Sequence, residues 1–232
     1  MFIALDECIG KKYTTLGCIC LPKQELPALE KSFLERRLQE KCWGEIKWSK
    51  ITDNYLGKYK HLADVYLKHE SATFHSWTYE KVGVTDRLLH YGGASQDDII
   101  FRQAYLLIRS VIWKCSNYGY REPYYIVADD SGKGVREYKK INELLQKDSA
   151  VKRQAAIEFC STGNSAAFGC LQIADLYTGA VASCYDELGN PTSIALRDYF
   201  QSANKDVPLS FSPAKLPTLD AYKMHHCKLR HT

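Results

Sequence analysis

The segment AAFGCLQIADLYTGAVASCY (166–185) constrains this chain most. Between Phe159 and Tyr185 the only charged side chain is Asp175. A helix of this composition has no polar face to give to water, so it has to be packed on all sides. It is long enough to cross a bilayer, but Gln172 and Asp175 near its centre and its many small residues argue for a core helix instead. A buried, unpaired carboxylate costs several kcal/mol or more, so Asp175 must be neutralised, paired or bound to a metal.

Candidate partners stand at the ends of two other apolar runs. MFIAL (1–5) reads as a central strand buried on both faces and ends in Asp6-Glu7. YYIVA (124–128) repeats the pattern and ends in Asp129-Asp130. If the two strands are parallel neighbours, Asp6 and Asp129 emerge side by side at the sheet edge where α/β sites assemble, and the second acid of each pair points to the opposite face. Alternation favours Asp129 over Asp130. The 166–185 helix, packed on the sheet, brings Asp175 to the same edge. Clustered carboxylates repel unless cations lie among them, and hard oxygen ligands select Mg²⁺ or Mn²⁺. The competing reading for Asp175 is a buried salt bridge, with Lys47 as the partner.

The remaining pattern surrounds these runs with alternating elements. YTTLGCICL (13–21) is a hairpin partner for the first strand. Residues 27–43, 53–69, 99–115 and 135–147 have helical periodicity, and strands are expected over 44–51, 73–82 and 155–159. The tail from Asn204, with Pro208, Pro213 and Pro217, reads as irregular surface chain. With no repeat or linker, 232 residues suit a single α/β domain: a mixed sheet flanked by helices, with an elaborated helical insertion over 53–120 and an irregular 204–232 extension.

At this point MFIALDE, EIKWS, YYIVADD and NSAAFGCLQIADLYTGA resemble the family of unknown function numbered thirty-eight hundred. Its members are similar in fold to ribonuclease H-like proteins and share an N-terminal Asp-Glu and a C-terminal Gln-x-x-Asp. The match runs in order over nearly the whole chain, and Gln172-x-x-Asp175 is its most specific part. The resemblance implies a catalytic and metal-binding tetrad of Asp6, Glu45, Asp129 and Asp175. The implied activity is hydrolysis of RNA or DNA phosphodiesters by two Mg²⁺ or Mn²⁺ ions about 4 Å apart. Lys47 would steady the developing phosphorane charge, Gln172 would hold Asp175 or a phosphate, and Glu7 would brace the turn or bind metal. One departure stands out. Members usually continue Asp-Glu-Ser-Gly, whereas this chain reads Asp6-Glu7-Cys8-Ile9-Gly10, which implies an altered turn and a thiol in place of a hydroxyl.

Other features carry less. A net charge of +4 permits an anionic partner without demanding one. Nine irregularly spaced cysteines, with no signal-type leader, read as reduced thiols of a cytoplasmic protein. STGNS (161–165) offers amides for a phosphate, although ordinary capping explains it better. SGKG (131–134) lacks the spacing of a phosphate-binding P-loop. Cys18 and Cys20 with His225, His226, Cys227 and His231 match no standard zinc spacing. The alternatives to a nuclease are a catalytically silent nucleic-acid- or partner-binding protein on the same fold and, more weakly, a structural zinc protein.

Overall fold

The two acid-terminated apolar runs are parallel neighbours in the computed structural model, which describes residues 1–81, 96–120, 122–129, 135–154, 156–186, 189–203 and 222–228. The strands are β1 (Phe2–Ile9), β2 (Tyr13–Leu21), β3 (Thr73–Glu80), β4 (Tyr124–Asp129), β5 (Ile157–Gly163) and β6 (Tyr222–Lys228). They form one open, mixed sheet of six strands in the order β5-β4-β1-β2-β3-β6. β1, β2, β3 and β6 pair antiparallel in turn, while β4 joins β1 and β5 in parallel.

Helices cover both faces. They are α1 (Leu26–Gln39), α2 (Asp53–Leu67), α3 (Gln96–Asn117), α4 (Val135–Lys147), α5 (Ser149–Gln154), α6 (Gly169–Asp186) and α7 (Pro191–Ala203). Alternation along β1 separates two cores. Phe2 and Ala4 pack with α1, α2, α6 and α7, whereas Ile3 and Leu5 face α3, α4 and α5. As its composition requires, α6 is buried along nearly its whole length. It approaches the sheet closely because Gly17 lies beneath it: a Cβ there would fall 2.0 Å from Thr178 Oγ1. Gly17 pairs directly with Asp6, so this close approach is made at the level of the acids. Among the described residues, no helix is long and apolar enough to cross a membrane.

Five expectations need correction. β1 does not stop at residue 5, because its antiparallel pairing with β2 continues to Ile9↔Thr14 after β4 has ended. Residues 44–51 form no strand: extended chain leads into a 3-10 turn (Trp48–Lys50), and side chains of α6 take its amides. The segment before α6 extends β5 to Gly163 and makes a 3-10 turn at Ser165–Ala167, so the long helix begins at Gly169. The tail is not all irregular, since Tyr222–Lys228 adds β6 to the edge of β3, while 204–221 and 229–232 lie outside the described residues. β3 itself crosses the supposed helical insertion as an integral sheet strand.

Candidate active site

The β1–β4 ladder ends at Leu5↔Ala128, and the next step along each strand is Asp6 and Asp129. Both lie on the face of Ala4 and Val127, which is the face α6 covers. Asp175 comes down from α6 within hydrogen-bonding reach of Asp6. Asp6 is 7% exposed, and its Oδ2 has no hydrogen-bond partner. Burial pushes the Asp6 carboxyl well above the ordinary range. Asp175 and Asp129 add to that shift, against a smaller opposing pull from the Glu7 backbone. Burial also raises Asp175, to about 6, against the pull of the Trp48 amide, the Asp6 carboxyl and Lys47. In the metal-free protein, Asp6 and Asp175 therefore share a proton at a pH where isolated aspartates are fully ionised. Asp130 lies outside the described residues.

Gln172 and Asp175, one helical turn apart, hold the chain that carries Glu45. The Ile46 amide donates to Gln172 Oε1 at 3.0 Å, and the Trp48 amide donates to Asp175 Oδ2. Gln172 Nε2 also donates to the Ser165 carbonyl at 2.9 Å, and the Tyr59 hydroxyl lies against the Lys47 amide. Trp48 is seated on Gly179, where a Cβ would fall 2.2 Å from Trp48 Cγ. Ile46 and Trp48 are thus buried, while Glu45 and Lys47 project from the alternate positions. Upstream, Lys41 takes a left-handed conformation at φ 50°, and Arg37 donates to the carbonyls of Cys42, Trp43 and Gly44, fixing the approach.

Glu45 is tied to two lysines and a serine. Its carboxylate takes Lys47 Nζ at 3.1 Å, Lys50 Nζ at 3.0 Å and the Ser165 hydroxyl at 2.6 Å. Burial would raise its pKa, but those three donors outweigh it and hold the group at about 2. Lys47 Nζ is also 3.9 Å from Asp129 Oδ2. Burial disfavours the Lys47 charge, yet Glu45 and Asp129 more than compensate, and its pKa is raised. The site therefore brings Asp6, Asp129 and Asp175 together and sets Glu45 one ammonium group away. Among the described residues, no three His, Cys, Asp or Glu side chains stand ready-made around one metal position. The Asp6–Asp175 hydrogen bond and a bridging lysine lie between these carboxylates.

Glu7 does not join the cluster. It lies on the opposite face of β1, in a small cleft with Leu5, Leu16, Ile100, Phe101 and Ala104 that reaches Asp6 and Asp129 at its rim. Cys8 sits within β1 opposite Thr15, so no turn is altered there. Its thiol is pushed up to about 12, chiefly by burial and then by Asp175 and Asp6, which leaves it protonated and inert.

The amides before α6 are satisfied within the protein. The Ala166 amide donates to Asn164 Oδ1 at 2.9 Å, and the Gly169 and Cys170 amides donate to the Glu30 carboxylate at 2.8 Å each. Glu30 also accepts from the Tyr66 hydroxyl at 3.0 Å. A carboxylate on a helix N-terminus is stabilised by the dipole and by the free amides together, so capping prevails over a phosphate cradle. Sequence reasoning missed Glu30 because LEKSFLERR places it among many charged positions of an amphipathic helix. Glu30→Ala is expected to lower unfolding free energy by about 3 kcal/mol, since it strands two helix amides and the Tyr66 hydroxyl, as read by urea denaturation.

The zinc expectation finds no support in the sheet order. β3 separates the strand of Cys18 and Cys20 from that of His225, His226 and Cys227 by two strand spacings, about 10 Å. Cys18 and Cys20 point into the core below α3, with Cys20 Sγ 3.8 Å from Cys115 Sγ. A scan against protein-family models and a search of curated proteins found no match to the chain.

Proposed function

We propose that this protein is a divalent-cation-dependent nuclease of ribonuclease H-like architecture that hydrolyses phosphodiester bonds of RNA or DNA. The observation that carries the reading is Asp6: a buried carboxylate with an unsatisfied oxygen, pressed against Asp175 and flanked by Asp129. Such an arrangement is costly to the fold, whereas a hard dication in place of the shared proton would satisfy all three acids. The donor set fits Mg²⁺ or Mn²⁺, with Asp6, Asp129 and Asp175 as the residues that would hold it. When bound, the ion supplies Lewis acidity and an activated water at neutral pH.

The chain's own groups do the remainder. α6 fixes the backbone of 46–48 so that Lys47 stands at the edge of the acids, where its ammonium attracts a phosphate and stabilises charge developing on it. Glu45, held by Ser165 and Lys50, orients that lysine. The open mixed sheet, with a hairpin leading into parallel strands that end in acids, supports the ribonuclease H-like reading.

The test is cleavage of end-labelled single-stranded RNA, single-stranded DNA and an RNA–DNA hybrid with Mg²⁺ or Mn²⁺. The expected result is products in at least one lane, lost on chelation and lost in Asp6→Asn. A second reading is favoured by the pairing of Glu45 with two lysines: a binding protein that has ceased to turn over. It is indicated by salt-sensitive binding of the same probes, undiminished in Asp6→Asn, without cleavage under any metal.

A further inference from the structure

We propose that the site takes one divalent cation rather than two, because the Lys47 ammonium stands in the second cation position, between Glu45 and Asp129. The inference rests on the reading that the aspartates bind a metal, and it concerns what shares the site with that metal.

Three observations carry it. The first is place. Lys47 Nζ contacts Glu45 Oε1 at 3.1 Å and Asp129 Oδ2 at 3.9 Å, so one cationic group already links these two carboxylates. The second is anchorage. The Lys47 backbone lies between the Ile46 and Trp48 amides that Gln172 and Asp175 hold, so the stem of the lysine starts from a fixed point. Glu45, in turn, is held by Ser165 at 2.6 Å and Lys50 at 3.0 Å. The third is charge. Among the described residues, the four carboxylates are faced by two ammonium groups, those of Lys47 and Lys50, so part of their charge is already countered without a second ion. A second dication would have to expel Lys47 from between two carboxylates and would then lie beside Lys50. Oxygen ligands at about 2.1 Å, which Mg²⁺ requires, are available to it only after Glu45 gives up its lysines.

In this arrangement Asp6, Asp129 and Asp175 would hold the ion, and Lys47 would supply the second positive charge to the phosphate. A lysine is a point charge with rotatable donors, so it follows an oxygen as charge builds there without requiring a coordination sphere. Lys47 is therefore a substitute cation, and Glu45 is its positioning residue.

Mn²⁺ titration of the metal-free full-length protein by calorimetry, with electron paramagnetic resonance of the bound ion, separates the outcomes. Wild type is expected to bind one Mn²⁺ with the six-line spectrum of an isolated ion. Lys47→Met is expected to bind two with an exchange-coupled spectrum, and Lys47→Arg, which keeps the charge, to remain at one. Two coupled ions in wild type would overturn the proposal and leave the metal reading standing, a result that needs no variant to fold. One ion in both wild type and Lys47→Met would overturn it as well. No Mn²⁺ binding in wild type, and none altered by Asp175→Asn, would instead remove the metal reading on which the proposal rests.

Discussion

Asp175→Asn is expected to abolish the proposed cation-dependent cleavage, by about a thousandfold or more, and at the same time to raise the melting temperature of the metal-free protein at pH 7.5. The first half follows from the metal-holding role proposed for Asp175. The second follows from the cost of the site. Burial raises Asp6 well above its ordinary value and Asp175 to about 6, so both carboxyls favour the fold only while protonated. That contribution is complete below the unfolded-state value, about 4, and is lost as pH rises through about 6. Glu45 has the opposite sign. Held at about 2, it contributes above its unfolded value and loses that contribution as pH falls. With respect to this site, metal-free stability is therefore expected to be highest near pH 5 and to fall toward pH 7.5, and the proposed metal binding predicts that Mg²⁺ or Mn²⁺ restores it there through mass action. Replacing Asp175 with the neutral amide keeps an acceptor for the Trp48 amide and removes the charge, a gain on the order of 2 kcal/mol at pH 7.5. Thermal melts of both proteins from pH 4.5 to 8, with and without chelator, measure the effect. Lower stability of the variant at pH 7.5 would mean that Asp175 is a structural ion-pair member.

Gln172→Met is expected to be strongly destabilising. Methionine nearly matches glutamine in volume but neither accepts from the Ile46 amide nor donates to the Ser165 carbonyl, so the buried Ile46 amide would be left unpaired and the Ser165 carbonyl would keep only the Phe168 amide. The orphaned amide costs about 1–3 kcal/mol and the second lost bond about 1 more, so the loss is about 2–4 kcal/mol in urea denaturation. The damage also has a direction. Ile46 and Ser165 flank Glu45 in space, so freeing them releases Glu45 and Lys47 from the aspartates. Hydrogen exchange at the Ile46 amide should accelerate far more than exchange in β1. Gln172 and Asp175 are the clasp that seats the neighbouring segment on α6.

The parts legible in the sequence were those where burial and charge conflict. β1 and β4 are continuous apolar runs because both faces are covered, and the acids at their ends interrupt that pattern, so the juxtaposition of Asp6 and Asp129 follows from parallel pairing. α6 was legible for the same reason: a helix without a polar face has one place to go. Residues 44–51 were misread because alternating burial arises wherever extended chain lies on a core, whether a strand or the side chains of a helix bind its amides. The local pattern does not say which. Likewise, no spacing reveals that Glu45 meets Lys50 as well as Lys47, or that Glu30 reaches across to cap α6, because those contacts depend on how helices cross. β6 was hidden because YKMHHCK lacks an apolar alternation and an edge strand needs none.

Anomalous diffraction from crystals grown with Mn²⁺ tests the central claim most directly. A peak bonded to carboxylate oxygens of Asp6, Asp129 and Asp175, with the Asp6–Asp175 hydrogen bond gone, is the predicted result. Crystals that carry Mn²⁺ elsewhere while those two aspartates still share their proton would contradict it.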